Sequence, residues 1–251
     1  MRKKLLLGNW KMNKTVKEAK KFAKDSLEIA EKATNNNIDI GVAPTFLCLE
    51  IVKKTNPNLI VASQNVHYAD HGAYTGEISI PMLQAIDIDW AIIGHSERRQ
   101  YNGETSISCN RKILALLEQN MVPVYCVGET LEEFEEGITK AVVRDQIRIG
   151  LAGVPTDLVK NVVIAYEPIW SIGTGKNASK EIAQDVCAFI RETVMEVFGN
   201  VANDVRILYG GSVKPDNIKS YVHMKDVDGA LVGGASLTIE SFKELLDNMI
   251  D

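Results

Sequence analysis

Eight short apolar runs, at residues 5–10, 38–43, 59–63, 90–93, 122–127, 162–166, 205–209 and 229–231, constrain this 251-residue chain more than any other feature. They are aliphatic or β-branched and show no polar alternation. A half-exposed strand alternates; a strand covered on both faces by helices does not. Between most of the runs lie longer segments with helical period, clearest at 14–33, 104–120, 131–149 and 179–198. Ser179 opens the last of these with Glu181 in its first turn, and Gly199-Asn200 closes it. Asn56-Pro57-Asn58 marks the turn into the third run. Strands that each precede a helical segment predict an α/β fold, a (β/α)8 barrel with eight parallel strands. The rival is a doubly wound sheet, whose glycine fingerprint should follow the first strand. Gly8-Asn9-Trp10-Lys11 stands there instead. With no linker or break in composition, one domain over residues 1–251 is expected.

Composition narrows the function classes. A net charge of −5 argues against nucleic acid as partner, because a phosphate backbone calls for a basic surface. It leaves room for a small phosphorylated ligand, which needs only local positive potential. No apolar stretch approaches the roughly 20 residues of a membrane span. Leu5–Leu7 is too short for a secretory signal core, so a cytoplasmic protein is expected. Cys48, Cys109, Cys126 and Cys187 lack the paired spacing of a zinc or redox motif and read as packed thiols. No His, Asp or Glu cluster has metal-ligand spacing.

In such a barrel the chemistry sits at the carboxyl ends of the strands. Asn9 and Lys11 end the first strand, His95 follows the fourth and Glu167 the sixth, so all four should converge. Glu167 leaves an apolar run and meets Pro168 and a glycine-studded loop. Desolvation there would raise its basicity and suit a general base working beside a carbonyl. His95 precedes Ser96-Glu97, which reads as the start of a short helix; a helix N-terminus disfavours imidazolium. A neutral ring could donate to a substrate carbonyl. Lys11 and Asn9 could stabilise negative charge on the same oxygen. Gly210-Gly211 and Gly233-Gly234, after the last two strands, let backbone N–H groups approach an anion. These loops indicate a phosphorylated small molecule without naming the reaction. The segment from Pro168 to about Ala178 carries Ile169, Trp170 and Ile172 among glycines and reads as a lid.

GNWKMN at 8–13, IIGHSERR at 92–99 and AYEPIWSIGTGK at 165–176 together resemble triosephosphate isomerases, and the likeness runs from Leu6 to about Leu237. The resemblance implies a single-domain TIM barrel that interconverts two triose phosphates, without metal or organic cofactor. It implies Glu167 as the proton shuttle, His95 as the acid–base partner, Lys11 and Asn9 as oxyanion donors, and Glu97 as the group that orients Lys11. Phosphate contacts would come from the backbones of Ser212, Gly233 and Gly234, and from Gly173 of the lid. The long segment 64–78 is similar to the family's interdigitating loop, which implies a homodimer with Thr75 beside the partner's Asn9 and Lys11. Asn102 stands where an aromatic residue is usual, and Phe134 where an arginine is common. A pentulose-phosphate epimerase would account for the glycine loops but not for the three motifs together. A silent phosphometabolite sensor would have little use for all four of Asn9, Lys11, His95 and Glu167.

Overall fold

In the computed structural model, which describes residues 2–171 and 177–250, eight parallel strands close on themselves. They are β1 (Lys4–Asn9), β2 (Ile38–Ala43), β3 (Ile60–Ser63), β4 (Trp90–Ile93), β5 (Val122–Val127), β6 (Val163–Tyr166), β7 (Arg206–Tyr209) and β8 (Gly229–Val232). Each pairs with the next in sequence, and β1 pairs with both β2 and β8, so Gly8 lies between Val42 and Val232. The barrel expected from the eight runs is present, with strand ends shifted by a residue or so.

The missing alternation has a direct cause. Leu5, Leu7, Ile92, Val124, Cys126, Val163, Ala165, Leu208 and Leu231 fill the barrel interior. Their neighbours Leu6, Ile93, Tyr125 and Ile164 point outward and are buried under helices. Both faces of each strand are therefore apolar, and each fully buried aliphatic side chain contributes about 1.5–3 kcal/mol. All four cysteines are free and buried.

Two expected helices are broken. The segment 14–33 forms Val16–Asp25 and Leu27–Asn35, joined at Ser26. The buried Ser26 hydroxyl donates to the Ala23 carbonyl (2.9 Å) and accepts from Asn56 Nδ2 (3.1 Å), which holds the bend. The segment 131–149 forms Leu131–Glu135 and Thr139–Gly150, and Gly137 between them has φ +73°. The other two long helices form as expected, over Ser106–Glu118 and Lys180–Phe198, the latter capped by Ser179.

Candidate active site

Strand parity places the base. Val163 and Ala165 face the barrel interior, so Glu167, two residues on, points into its mouth. Its N–H donates to the Val127 carbonyl at 2.7 Å, extending the β5–β6 ladder by one residue. Gly128 lies against this backbone: a Cβ there would stand 1.8 Å from the Glu167 carbonyl oxygen, so only glycine fits. The Glu167 carboxylate is buried, with Oε1 2.9 Å from His95 Nε2 and Oε2 accepting from the Ser96 N–H at 3.0 Å. Burial pushes its pKa up, but the His95 charge and hydrogen bond, the Ser96 N–H and Lys11 outweigh it, leaving the carboxyl below its ordinary value. The raised basicity expected from desolvation is thus not a property of this arrangement, because two donors already hold the carboxylate.

His95 follows Gly94, whose φ of +73° turns the chain out of β4. It caps the helix Ser96–Asn102, and its Nδ1 accepts from the Glu97 N–H at 3.2 Å. A ring nitrogen that accepts has no proton, so Nε2 carries it and aims it at Glu167. Burial pushes the His95 pKa down and the adjacent Glu167 carboxylate pulls it up, with a net rise. That differs from the lowering expected at a helix N-terminus; the carboxylate facing Nε2 is the reason.

Lys11 sits at φ +52°, a left-handed conformation costly for a non-glycine residue. Its N–H donates to Asn9 Oδ1 at 3.1 Å, and Gln64 Nε2 donates to both the Lys11 and Ala43 carbonyls at 2.8 Å. Lys11 Nζ donates to Glu97 Oε1 at 2.6 Å. The structure therefore brings Asn9, Lys11, His95, Glu97 and Glu167 to one end of the barrel. A cleft of about 650 Å3 joins Asn9, Lys11, His95 and Glu167 to the loops of Ser212, Gly233 and Gly234. Ser212 is held through its carbonyl, which accepts from Asn217 Nδ2 at 3.1 Å. Gly234–Ser236 form one turn of 3-10 helix, whose first N–H groups find no partner within the turn. Thr75 is exposed and away from this cleft within the chain. Gly173, with Ile172 and Gly175, lies outside the described residues. Among the described residues no three His, Cys, Asp or Glu side chains are grouped to hold a metal ion.

Several supporting residues escape a reading of the sequence. Gln64 and the Ser96 N–H act across long separations. Glu129, buried, accepts from the Tyr166 hydroxyl at 3.0 Å and from Trp170 Nε1 at 2.8 Å, anchoring the arm just beyond Glu167. Its pKa is raised, chiefly by burial. Phe134 stacks on Trp170 with ring centroids 4.4 Å apart. Asn102 is exposed at the end of the His95-capped helix.

A closed (β/α)8 barrel with a carboxylate, an imidazole and a lysine facing glycine-rich loops is built as an acid–base enzyme for a phosphorylated small molecule. A family model described as triosephosphate isomerase matches residues 4–249. Three relatives carry the name triosephosphate isomerase. That of Carboxydothermus hydrogenoformans is 49% identical over the full length of both chains. Those of Clostridium botulinum (48%) and Clostridium beijerinckii (46%) align with 98% of this chain and all of theirs. The chain belongs to the triosephosphate isomerase family.

Proposed function

We propose a division of labour among the site residues for the reaction of this enzyme family. The chain is an aldose–ketose isomerase that interconverts dihydroxyacetone phosphate and D-glyceraldehyde 3-phosphate through an enediolate, in glycolysis and gluconeogenesis. The observation that supports the roles is the occupancy of Glu167. One carboxylate oxygen takes the His95 Nε2 proton donor and the other takes the Ser96 N–H. A substrate carbonyl entering the cleft takes over the His95 donor. Glu167 then loses a stabilising partner while staying buried, so its basicity rises when a proton must be abstracted. The same exchange breaks the hydrogen bond to Glu167 that helped raise the His95 pKa, although the Glu97 carboxylate, 3.7 Å from Nδ1, still raises it. Burial and the Glu97 N–H at Nδ1 oppose that charge and favour the neutral ring.

Glu167 removes a proton from one substrate carbon and returns it to the adjacent carbon. His95 donates to the carbonyl oxygen and relays a proton between the two oxygens of the intermediate. Lys11, oriented by Glu97, and Asn9 stabilise the developing oxyanion. The backbones of Ser212, Gly233 and Gly234, together with Gly173, hold the phosphate. General base catalysis supplies about 10² to 10⁴ in rate, so positioned donors supply much of the remainder. A coupled assay of glyceraldehyde 3-phosphate isomerisation tests this, with Glu167→Gln alongside. The variant is expected to bind ligand and lose several powers of ten in turnover; wild-type turnover would refute the assignment.

The partner reading is a homodimer whose Thr75 loop completes the neighbouring site. Met12 (93% exposed), Leu47 (84%) and Tyr101 (73%) are large apolar side chains left to solvent. With Phe46 and Asn102, the first and last of these border a second cleft of about 430 Å3 that opens on Asn9, Lys11 and Glu97. His67 stacks on Tyr68 and packs against Tyr74, stiffening the loop that presents Thr75. A fully active monomer in sedimentation at assay concentration would overturn this. No helix among the described residues is long and apolar enough to cross a membrane, and the glycolytic role supports a cytoplasmic location.

A further inference from the structure

We infer that Lys14 is a positioning residue that ties the loop carrying Lys11 to the loop that holds the substrate phosphate; this rests on the phosphate role proposed for Gly233 and Gly234. Lys14 lies 223 residues from Leu237, yet its Nζ donates to the Leu237 carbonyl at 2.7 Å. The ammonium also stands 5.0 Å from the ring centroids of both Trp10 and Phe22, which meet edge to face at 4.9 Å. Cation–π attraction holds it in that notch. Among the described residues no carboxylate forms an ion pair with it, and burial draws its pKa down, with Glu18 opposing. Its backbone is left-handed, at φ +72°, the second such residue after Lys11 in this short loop. A partly desolvated lysine on a strained backbone, bonded to one carbonyl, needs a structural reason for its geometry.

The acceptor supplies the reason. Leu237 ends the turn that begins at Gly233: Ser236 N–H donates to the Gly233 carbonyl (2.9 Å) and Leu237 N–H to the Gly234 carbonyl (3.1 Å). Ser236 Oγ lies 3.0 Å from the Val232 carbonyl and 2.7 Å from that of Gly233. The turn also packs on β1, since a Cβ at Gly8 would lie 2.8 Å from Ser236 Cβ. Its near end continues from Val232, which pairs with Gly8 of β1, Ser236 packs on Gly8, and Leu237 beyond is held by Lys14. The direction in which the Gly233 and Gly234 N–H groups point depends on these contacts. Lys14 lies three residues beyond Lys11, so one loop positions the oxyanion cation and grips the phosphate turn.

The test compares Lys14→Met, which keeps the aliphatic stem, with Lys14→Arg, which keeps charge and donor. The KM for glyceraldehyde 3-phosphate and the inhibition constant of inorganic phosphate are each expected to rise about tenfold in Lys14→Met, a loss of about 1.4 kcal/mol in phosphate binding. The kcat/KM for phosphate-free D-glyceraldehyde should stay at the wild-type value, and Lys14→Arg should restore phosphate affinity. Wild-type KM and phosphate inhibition in folded Lys14→Met would overturn the inference. So would an equal loss with D-glyceraldehyde, which would mark a merely structural lysine. Lys14→Gln carries the same test if the methionine variant does not fold. Wild-type protein that phosphate fails to inhibit would instead refute the phosphate role of the loops.

Discussion

Gly128→Ala tests whether the position of Glu167 is set by backbone contact rather than by its own side-chain bonds. The new Cβ would stand 1.8 Å from the Glu167 carbonyl oxygen and 2.6 Å from its carbonyl carbon. Real Cβ contacts stop near 3.0 Å, so the β6 end must retreat by roughly 1 Å. A misplacement of about 1 Å at a reacting group costs on the order of 10²-fold in rate. Stability should fall as well, by about 1–3 kcal/mol for overpacking, since the Glu167 N–H bond to Val127 is strained at the same time. The assay is coupled isomerisation for kcat, with thermal unfolding on the same preparation. Gly210→Ala is the internal comparison: its Cβ would meet only the side chain, 3.0 Å from Glu167 Cγ, and the Tyr166 carbonyl at 3.2 Å. It should lose less activity than Gly128→Ala. Wild-type kcat in folded Gly128→Ala would refute the argument, because the base would then tolerate a displaced backbone.

Three further outcomes are expected. The Glu167 carboxyl lies below its ordinary value of 4.5, so the unfolded chain takes up that proton first and native stability falls as pH drops through the folded value. Glu167→Gln lacks that loss, and its urea midpoint should decline less steeply than wild type in acid; parallel profiles would contradict the shift. Phe134→Leu removes a stacked ring worth about 0.5–1.5 kcal/mol beyond its area, so Trp170 fluorescence should shift and KM should change more than stability. Arg191, buried, bonds Asp226, Asp228 and the carbonyls of Ala202 and Val205. Arg191→Met leaves Asp228 bonded to Arg2 Nε at 2.6 Å and Asp226 to Gln184, but strips the buried Ala202 and Val205 carbonyls of their donor; it should cost about 1–3 kcal/mol in denaturant unfolding, an unchanged midpoint being the contrary result.

Legibility tracks the range of each interaction. Strand runs and the positions of Asn9, Lys11, His95 and Glu167 are written locally, in apolar patterning and in the residues just past each strand. The Ser179 cap is readable for the same reason, since Ser179 Oγ accepts from Ile182 N–H three residues away. The bend at Ser26 is not, because it depends on Asn56, thirty residues on. Nothing local marks Glu129; only the fold brings the Tyr166 hydroxyl at the end of β6 and Trp170 Nε1 just beyond it onto one carboxylate oxygen. The Glu167 pKa differs from its sequence-based expectation on the same ground. Desolvation is local and foreseeable, whereas the Ser96 N–H arrives from 71 residues away. Lys14 reads as the first residue of a helix, with nothing nearby in sequence to announce Leu237.

The pairing of β1 with β8 has a consequence for the order in which this protein becomes active. Until the last strand is made, the nascent sheet carries two open edges, one along β1 and one along β7. Unpaired edges of this kind invite association with other chains. The seam that removes them also brings Gly8 against Ser236, and it sets Lys11 opposite Gly233. Protection from aggregation and the juxtaposition of the oxyanion cation with the phosphate loop are therefore acquired in one event, late in synthesis. A partly made barrel should be both sticky and inert.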